Sequence, residues 1–417
     1  MIPGLSALRY DIFRAAVRGE TLEGMRYLPQ LVAWIIAGAW AARVFGALRG
    51  LPTVPNLLLP AHNVRPAGDP RVVVIVPARN EQADVGSCLS SLLTQDYPNL
   101  TIIAVDDRST DETGAVMESM ASERLRVIHI ADLPEEWLGK THAMAVAAKA
   151  SIAEDQPDFL LFTDADILFR HDAIRRAVAN AVGTGADHLV VAPTTIIRRW
   201  DEAAMLSFFQ IFGLWAARPW KVSDPKAMRD AIGIGAFNLL RTSAYLKIGG
   251  FEALRMEIVE DLGLARRIKR ARLAQRFAFG LGLVSVHWAS GADGIVRVMT
   301  KNIFAATGFH SSILLLGCVW LGGFCVLPFI GIWMPMLAVP CAITICAILV
   351  AYYLLSSRSG LSTWNALLTP FAGMLFIYAL LRSMVTTLSQ GGVVWRGTFY
   401  PLAELRKHAA PLLPRPL

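Results

Sequence analysis

Carboxylates recur in this chain where buried strands run out. Asp106-Asp107 follows Leu100-Thr-Ile-Ile-Ala-Val, Asp164-Ala-Asp166 follows an apolar run at 159–163, and Glu260-Asp261 opens a basic helical stretch. Hard divalent cations take oxygen ligands, and a separate carboxylate can take a proton from a hydroxyl, so this set suits a metal, a diphosphate and an acceptor that must be deprotonated. In Asp164-Ala-Asp166, alternate residues of an extended segment can aim two carboxylates at one cation. The simpler readings stand beside these. Asp106, Asp107 and Ser109 can cap a helix, and Glu260-Asp261 at a helix start is favoured by the helix dipole alone.

The elements that must position these groups follow from periodicity. Apolar strands are expected at 71–77, 100–106, 125–130, 159–163 and 188–192, alternating with helical patterns at 83–93, 140–150 and 173–182. Continuous apolar strands alternating with helices predict an α/β domain whose mostly parallel sheet is covered on both faces. Ligands then bind at the carboxyl ends of the strands, the rim that carries Pro77, Ala78, Arg79, Glu81 and both Asp motifs. The segment 233–238, Gly-Ile-Gly-Ala-Phe-Asn, reads as a flexible turn before a helix. Met205, Phe208, Phe209, Phe212 and Trp215 recur at helical spacing. Such a stripe is either core or an aromatic face at a membrane interface.

The chain has 417 residues, 54% of them hydrophobic, and the excess is concentrated. Between His310 and Arg382 the only charged residue is Arg358. A crossing takes roughly 20 apolar residues, so 311–357 has room for two, with Pro328, Pro335 and Pro340 marking the hairpin between them, and 359–381 for a third. A further apolar run at 27–48 contains Arg43, which can reach the interface from a helix end. The net charge of +7 could suit nucleic acid. The basic residues instead flank the apolar runs: Arg9, Arg14, Arg18 and Arg26 precede the first, and Arg382, Arg396, Arg406 and Lys407 follow the last. That is where cations meet anionic headgroups, so a membrane is the expected partner and nucleic acid is not. Five cysteines without a CxxC pair give no disulfide scaffold or zinc site. The expected organisation is a basic segment (1–26), a transmembrane helix (27–48), a linker (49–70), a catalytic domain (71–305), membrane helices (306–390) and a basic tail (391–417).

The motifs then resemble a known family. Val76-Pro-Ala-Arg-Asn-Glu81, Gln95-Asp-Tyr-Pro98, Val105-Asp-Asp-Arg-Ser-Thr-Asp111, Trp137-Leu-Gly-Lys140, Thr163-Asp-Ala-Asp166, Ile248-Gly-Gly-Phe251 and Glu260-Asp261 stand in the order found in family 2 glycosyltransferases of GT-A fold. Within that family the chain is most similar to membrane enzymes that glycosylate lipids, the ceramide, carotenoid and hopene-associated glycosyltransferases. The late Gly391-Gly-Val-Val-Trp-Arg-Gly397 with Tyr400 is similar to the segment that follows their last apolar stretch. A QxxRW signature is absent. Its nearest fragments are 297–302 and Trp395-Arg396, and His287 stands where carotenoid-type relatives often carry Arg.

The resemblance implies a GT-A domain with transmembrane helices and inverting transfer of a sugar from a nucleotide donor, UDP-linked by expectation, to a membrane lipid. It implies that Pro77, Ala78, Arg79, Glu81, Asp106 and Asp107 cradle the nucleotide, with Asp107 on the base, and that Lys140 lies near phosphate or sugar. Asp164 and Asp166 would hold Mg²⁺ or Mn²⁺ against the diphosphate, with His287 as a further ligand. Asp261, seconded by Glu260, would be the catalytic base, and Asn238 and Arg241 would line the sugar pocket. The expected location is an inner membrane, with the catalytic domain and basic tail on the cytoplasmic side. An even number of crossings must then separate them, so 359–381 or part of the Pro-rich hairpin is expected not to cross fully. Competing readings are a processive polysaccharide synthase and a nucleotide-sugar-binding scaffold without activity.

Overall fold

The structure, a computed structural model, describes residues 20–409. Arg9, Arg14 and Arg18 lie outside the described residues. Strand β1 (Val72–Ala78) is buried at every position, and β2 (Leu100–Asp107) nearly so. β-Branched residues without polar alternation can only be placed inside a sheet covered on both faces. With β3 (Leu125–Ile130), β4 (Phe159–Phe162), β6 (His188–Val191), β8 (Asn238–Arg241) and β9 (Gln275–Ala278) they form a seven-stranded sheet in the order β3-β2-β1-β4-β8-β6-β9. Pairing is parallel except at β8, which runs antiparallel to β4 and β6. The mostly parallel sheet agrees with the expected GT-A class. A smaller sheet, order β5-β10-β7, joins β5 (Leu168–Phe169), β7 (Thr194–Thr195) and β10 (Val284–Val286).

Strand β8 corrects the reading of 233–238 as a turn before a helix. Asn238 pairs with Phe162 and opens a strand in the middle of the sheet. Four residues, Asn-Leu-Leu-Arg, are too few to display a period of two. The reversed direction of β8 also carries Arg241 to the opposite edge from Asn238. There its guanidinium covers the Phe159 ring at 4.8 Å and faces Asp187 at 4.0 Å, away from the strand ends that carry the carboxylates. The linker is likewise not loose. Leu57 is buried, its N–H donates to the Phe279 carbonyl at 2.8 Å, and the Phe279 N–H donates to Pro55 at 2.9 Å.

Among the described residues four helical segments are long and apolar enough to cross a membrane: Tyr27–Thr53, Ser311–Gly331, Ala338–Ser359 and Thr363–Gln390. Pro328 lies inside the second rather than in the hairpin. A proline donates no hydrogen bond to the preceding turn, and the helix widens to a π turn at Gly322–Val326 just before it. The turn proper is 332–337, with Pro335.

The last of the four is tied to the catalytic domain along its length. The segment begins where the Asn365 amide donates to Ser207 Oγ at 2.8 Å. Midway, the Phe376 ring sits 5.5 Å from Phe208 and 5.1 Å from Phe212. Further on, Ser383 Oγ donates to the Thr300 carbonyl at 2.5 Å and accepts from the Phe304 N–H at 3.1 Å. It therefore lies along the soluble domain, while Phe371, Met374, Tyr378, Val385 and Leu388 stay exposed. The helix then enters a hairpin, β11 (Gly392–Trp395) and β12 (Thr398–Pro401), which folds back onto the domain.

The aromatic stripe is the joint between the two parts. On the helix Trp200–Ala216, Met205 and Phe208 are buried. Phe212 meets Phe376 and Trp320, and Trp215 meets Trp40 and Trp320 at 5.1 and 5.2 Å. Phe209 stays partly exposed against Trp288.

Candidate active site

Three loops and one helix start converge at the carboxyl ends of β1, β2 and β4. The loop after β1 is laced to the loop after β2: the Asn80 N–H donates to Ser109 Oγ, the Glu81 N–H to Thr113 Oγ1 at 2.8 Å, and the Thr110 N–H to Asn80 Oδ1 at 2.8 Å. Asn80 adopts positive φ to make this turn, a conformation asparagine tolerates better than most residues. The two neighbouring aspartates point to different partners. Asp106 accepts from the Ser109 N–H and meets His129 at 3.1 Å, the local capping role that its type allows. Asp107 is buried, chelated by Arg108 at 2.7 and 2.9 Å, and lies near His142 and Tyr400.

Lys140, in the first turn of the helix Gly139–Glu154, stands at the centre. Its ammonium lies 2.5 Å from Asp164 Oδ1 and 2.5 Å from Glu260 Oε1. Burial alone would push that ammonium down, but Asp164 and Glu260 outweigh it and hold the proton firmly. Beside it is a cavity of about 10 Å³, room for roughly one water, lined among others by Lys140, Asp164, Asn238, Glu260 and Asp261. The segment 233–235 presses against this group. A methyl on Gly233 would stand 1.9 Å from the Asp261 carbonyl oxygen, and one on Gly235 2.5 Å from Asp164 Oδ2. Only glycine allows that approach.

Asp261 lies in the first turn of the helix Glu260–Arg270, and its Oδ1 accepts from the Leu262 N–H at 2.7 Å. Burial and the adjacent Glu260 push its carboxyl up to about 7, with Lys140 opposing. A carboxyl in that range exchanges protons near neutral pH, as a general base must. Asp166 is also pushed up to about 7, by burial and by the charges of Asp164 and Glu81. That crowding is what a divalent cation relieves, so Asp164 and Asp166 fit Mg²⁺ or Mn²⁺. Among the described residues no group of three His, Cys, Asp or Glu side chains is gathered for a metal. Mg²⁺ is commonly held by one or two carboxylates, with phosphate oxygens and waters completing the shell. His287 is placed elsewhere: its Nε2 faces Glu202 Oε1 at 3.5 Å, and Glu202 in turn accepts from Gly291 and Arg198 N–H groups at the start of the helix Trp200–Ala216.

The structure thus brings Arg79, Glu81, Asp107, Lys140, Asp164, Asp166, Glu260 and Asp261 to one site, with Pro77 and Ala78 buried in the strand beneath. Arg241 is not among them, while Asn238 lines the cavity. Sequence reasoning missed that the C-terminal hairpin reaches the same site. The Arg396 guanidinium donates to the Arg79 carbonyl and pairs with Glu81. The signal available was Arg396, a cation placed beside Gly397 after the apolar run Val393-Val394-Trp395.

Known proteins similar to this chain are glycosyltransferases. Residues 73–263 match the family described as Glycosyl transferase family 2. A 4,4'-diaponeurosporenoate glycosyltransferase of Staphylococcus aureus (strain MRSA252) is 25% identical over 347 residues, covering 80% of this chain and 89% of that protein. Among solved structures, a mannosyltransferase from Pyrobaculum calidifontis in complex with GDP-Man and Mn²⁺ aligns at a TM-score of 0.47 and 18% identity, over 86% of this chain and 99% of that one. S. aureus TarS 1–349 in complex with UDP-GlcNAc aligns at 0.38 and 16% identity, over 79% and 96%.

Proposed function

We propose, for a chain that is a glycosyltransferase with its family 2 domain at residues 73–263, that it moves one sugar from a nucleotide-sugar donor to a hydroxyl of a carotenoid-type membrane lipid. The observation that carries this reading is the convergence of Lys140, Asp164, Glu260 and Asp261 on one cavity, with the Asp261 carboxyl held near 7. The lipid acceptor is supported by the similarity to a diaponeurosporenoate glycosyltransferase and by the apolar helices packed on the domain. Asp261 takes the proton of the acceptor hydroxyl as its oxygen attacks the anomeric carbon, and the nucleoside diphosphate leaves from the opposite face. Glu260 keeps Lys140 beside the leaving group. Asp164 and Asp166 hold Mg²⁺ or Mn²⁺, which neutralises charge on the diphosphate when bound. Pro77, Ala78, Arg79, Glu81 and Asp107 receive the nucleotide, for which UDP is the first candidate.

The arrangement of helices favours a non-processive, membrane-seated enzyme over a polymer synthase. In this reading Ser311–Gly331 and Ala338–Ser359 cross as a pair beside Tyr27–Thr53, and Thr363–Gln390, though itself long and apolar enough to cross, is assigned to the interface because it is hydrogen-bonded to Ser207 and Thr300 of the catalytic domain. Two crossings then return the hairpin and tail to the side of the catalytic domain, which is the cytoplasmic side.

The test separates binding from chemistry. Asp261→Asn retains donor affinity near wild type while single-turnover transfer falls by roughly 10²-fold or more. The wild-type kcat/KM rises as pH increases through about 7, because the base must be deprotonated, and the variant's profile lacks that limb. Equal loss of donor binding would make Asp261 a donor ligand. Undiminished transfer would mean that the nucleophile is already ionised, as an acceptor carboxylate is, and needs no base.

A further inference from the structure

The hairpin β11–β12 is joined by the two-residue turn Arg396-Gly397, with φ of 46° and 79°. Turns of this kind favour Asn-Gly or Asp-Gly, and an arginine in the left-handed region is disfavoured by its β-carbon. Turn geometry therefore does not account for Arg396, and its side chain does. The guanidinium reaches the Arg79 carbonyl and the Glu81 carboxylate, on the loop that receives the nucleotide. At the other end of the hairpin, Tyr400 is buried against Gly139, Arg108 and Asp107.

A second cation lies against the same hairpin. The Lys301 ammonium, from the helix Gly291–Ala306, sits 5.1 Å above the Trp395 ring. Among the described residues Lys301 has no ion pair or hydrogen bond. Burial pushes its ammonium down, as do the charges of Arg396 and Lys140, while Glu260 and Asp164 oppose them. The Arg79 guanidinium also lacks an acceptor among the described residues, and its buried Nε has no partner. Cations gathered from separate parts of the chain repel one another unless an anion joins them.

We propose that Lys301 and Arg396, both outside residues 73–263, form with Arg79 and Lys140 the cationic wall that holds the donor's diphosphate, Arg396 exchanging Glu81 for a phosphate oxygen. This rests on the nucleotide-sugar reading above. The guanidinium fork suits two phosphate oxygens, whereas the ammonium acts as a point charge. The segment that completes the donor site is thus carried on the helix that lies in the membrane interface.

Arg396→Asn isolates the claim, because Asn-Gly suits the turn while the cation is lost. Full-length protein in lipid nanodiscs is titrated with UDP and GDP, and with UMP and GMP, in the presence of Mn²⁺. For the nucleoside diphosphate that the wild type binds, Arg396→Asn and Lys301→Gln each weaken affinity by roughly tenfold, the scale of a charge-assisted contact. Monophosphate affinity and the melting temperature change little, and Arg396→Lys recovers part of the loss. Unchanged diphosphate affinity overturns the assignment, as does an equal loss for mono- and diphosphate, which would mark a merely structural hairpin. A wild type that binds neither UDP nor GDP overturns the donor reading itself and this inference with it.

Discussion

Asp166 is held in a form that its free chemistry disfavours. Its carboxyl is raised from the ordinary 3.8 to about 7 by burial and by the charges of Asp164 and Glu81. Ionising it in the folded protein is therefore unfavourable. A folded-state value above the unfolded one means that stability falls as pH rises between the two, and a bound cation reverses this. Asp166→Asn removes the repulsion and the ligand together. At pH 8 the variant without added metal melts at or above the wild-type temperature, while the stabilisation that Mn²⁺ gives the wild type is abolished. A thermal melt with and without Mn²⁺ reads both effects without any assay of transfer. A variant still stabilised by Mn²⁺ as strongly as wild type would remove Asp166 from the metal site.

At the scale of elements, the helix Trp200–Ala216 joins the catalytic domain to the apolar helices. Phe212 lies 5.1 Å from the Phe376 ring and 6.4 Å from Trp320, so of the two readings of the aromatic stripe it takes the packing one. Phe212→Ala costs up to about 3 kcal/mol, below the full price of a buried phenylalanine because the residue is only half-buried. Expression and all activities fall together, measured as yield of folded protein and donor affinity in parallel. A raised KM for the lipid alone would instead make Phe212 part of the acceptor path. The sequence declared its strong elements through long apolar runs: β1 and β2 sit where their β-branched residues put them, and the aspartates at their ends fall on the rim. Strand β8 was illegible because Asn-Leu-Leu-Arg is too short for periodicity and its partners come from distant segments. That error misplaced Arg241. His287 could be paired with Glu202 only once the fold had joined positions 85 residues apart. The fragments 297–302 and Trp395-Arg396 meant nothing separately, yet Lys301 and Trp395 meet in space.

At the scale of the whole molecule, one end of the bundle carries all the chemistry. The helix Thr363–Gln390 begins near Ser207, passes Thr300 and Phe304, and ends in the hairpin over Arg79, so it touches the catalytic domain at both ends and along its length. On the proposed function, a water-soluble donor would enter beside the hairpin, and a membrane acceptor would enter along exposed Phe209 and the half-buried Trp288 it touches. The proposed function is transfer of a single sugar from the donor to the lipid. The most direct measurement is mass spectrometry of the organic phase after purified full-length protein in vesicles containing carotenoid-type lipids meets a panel of UDP- and GDP-sugars. The predicted result is one lipid-soluble product heavier than its acceptor by one sugar residue, absent with Asp261→Asn; a water-soluble polymer, or a label that never enters the organic phase, would contradict it.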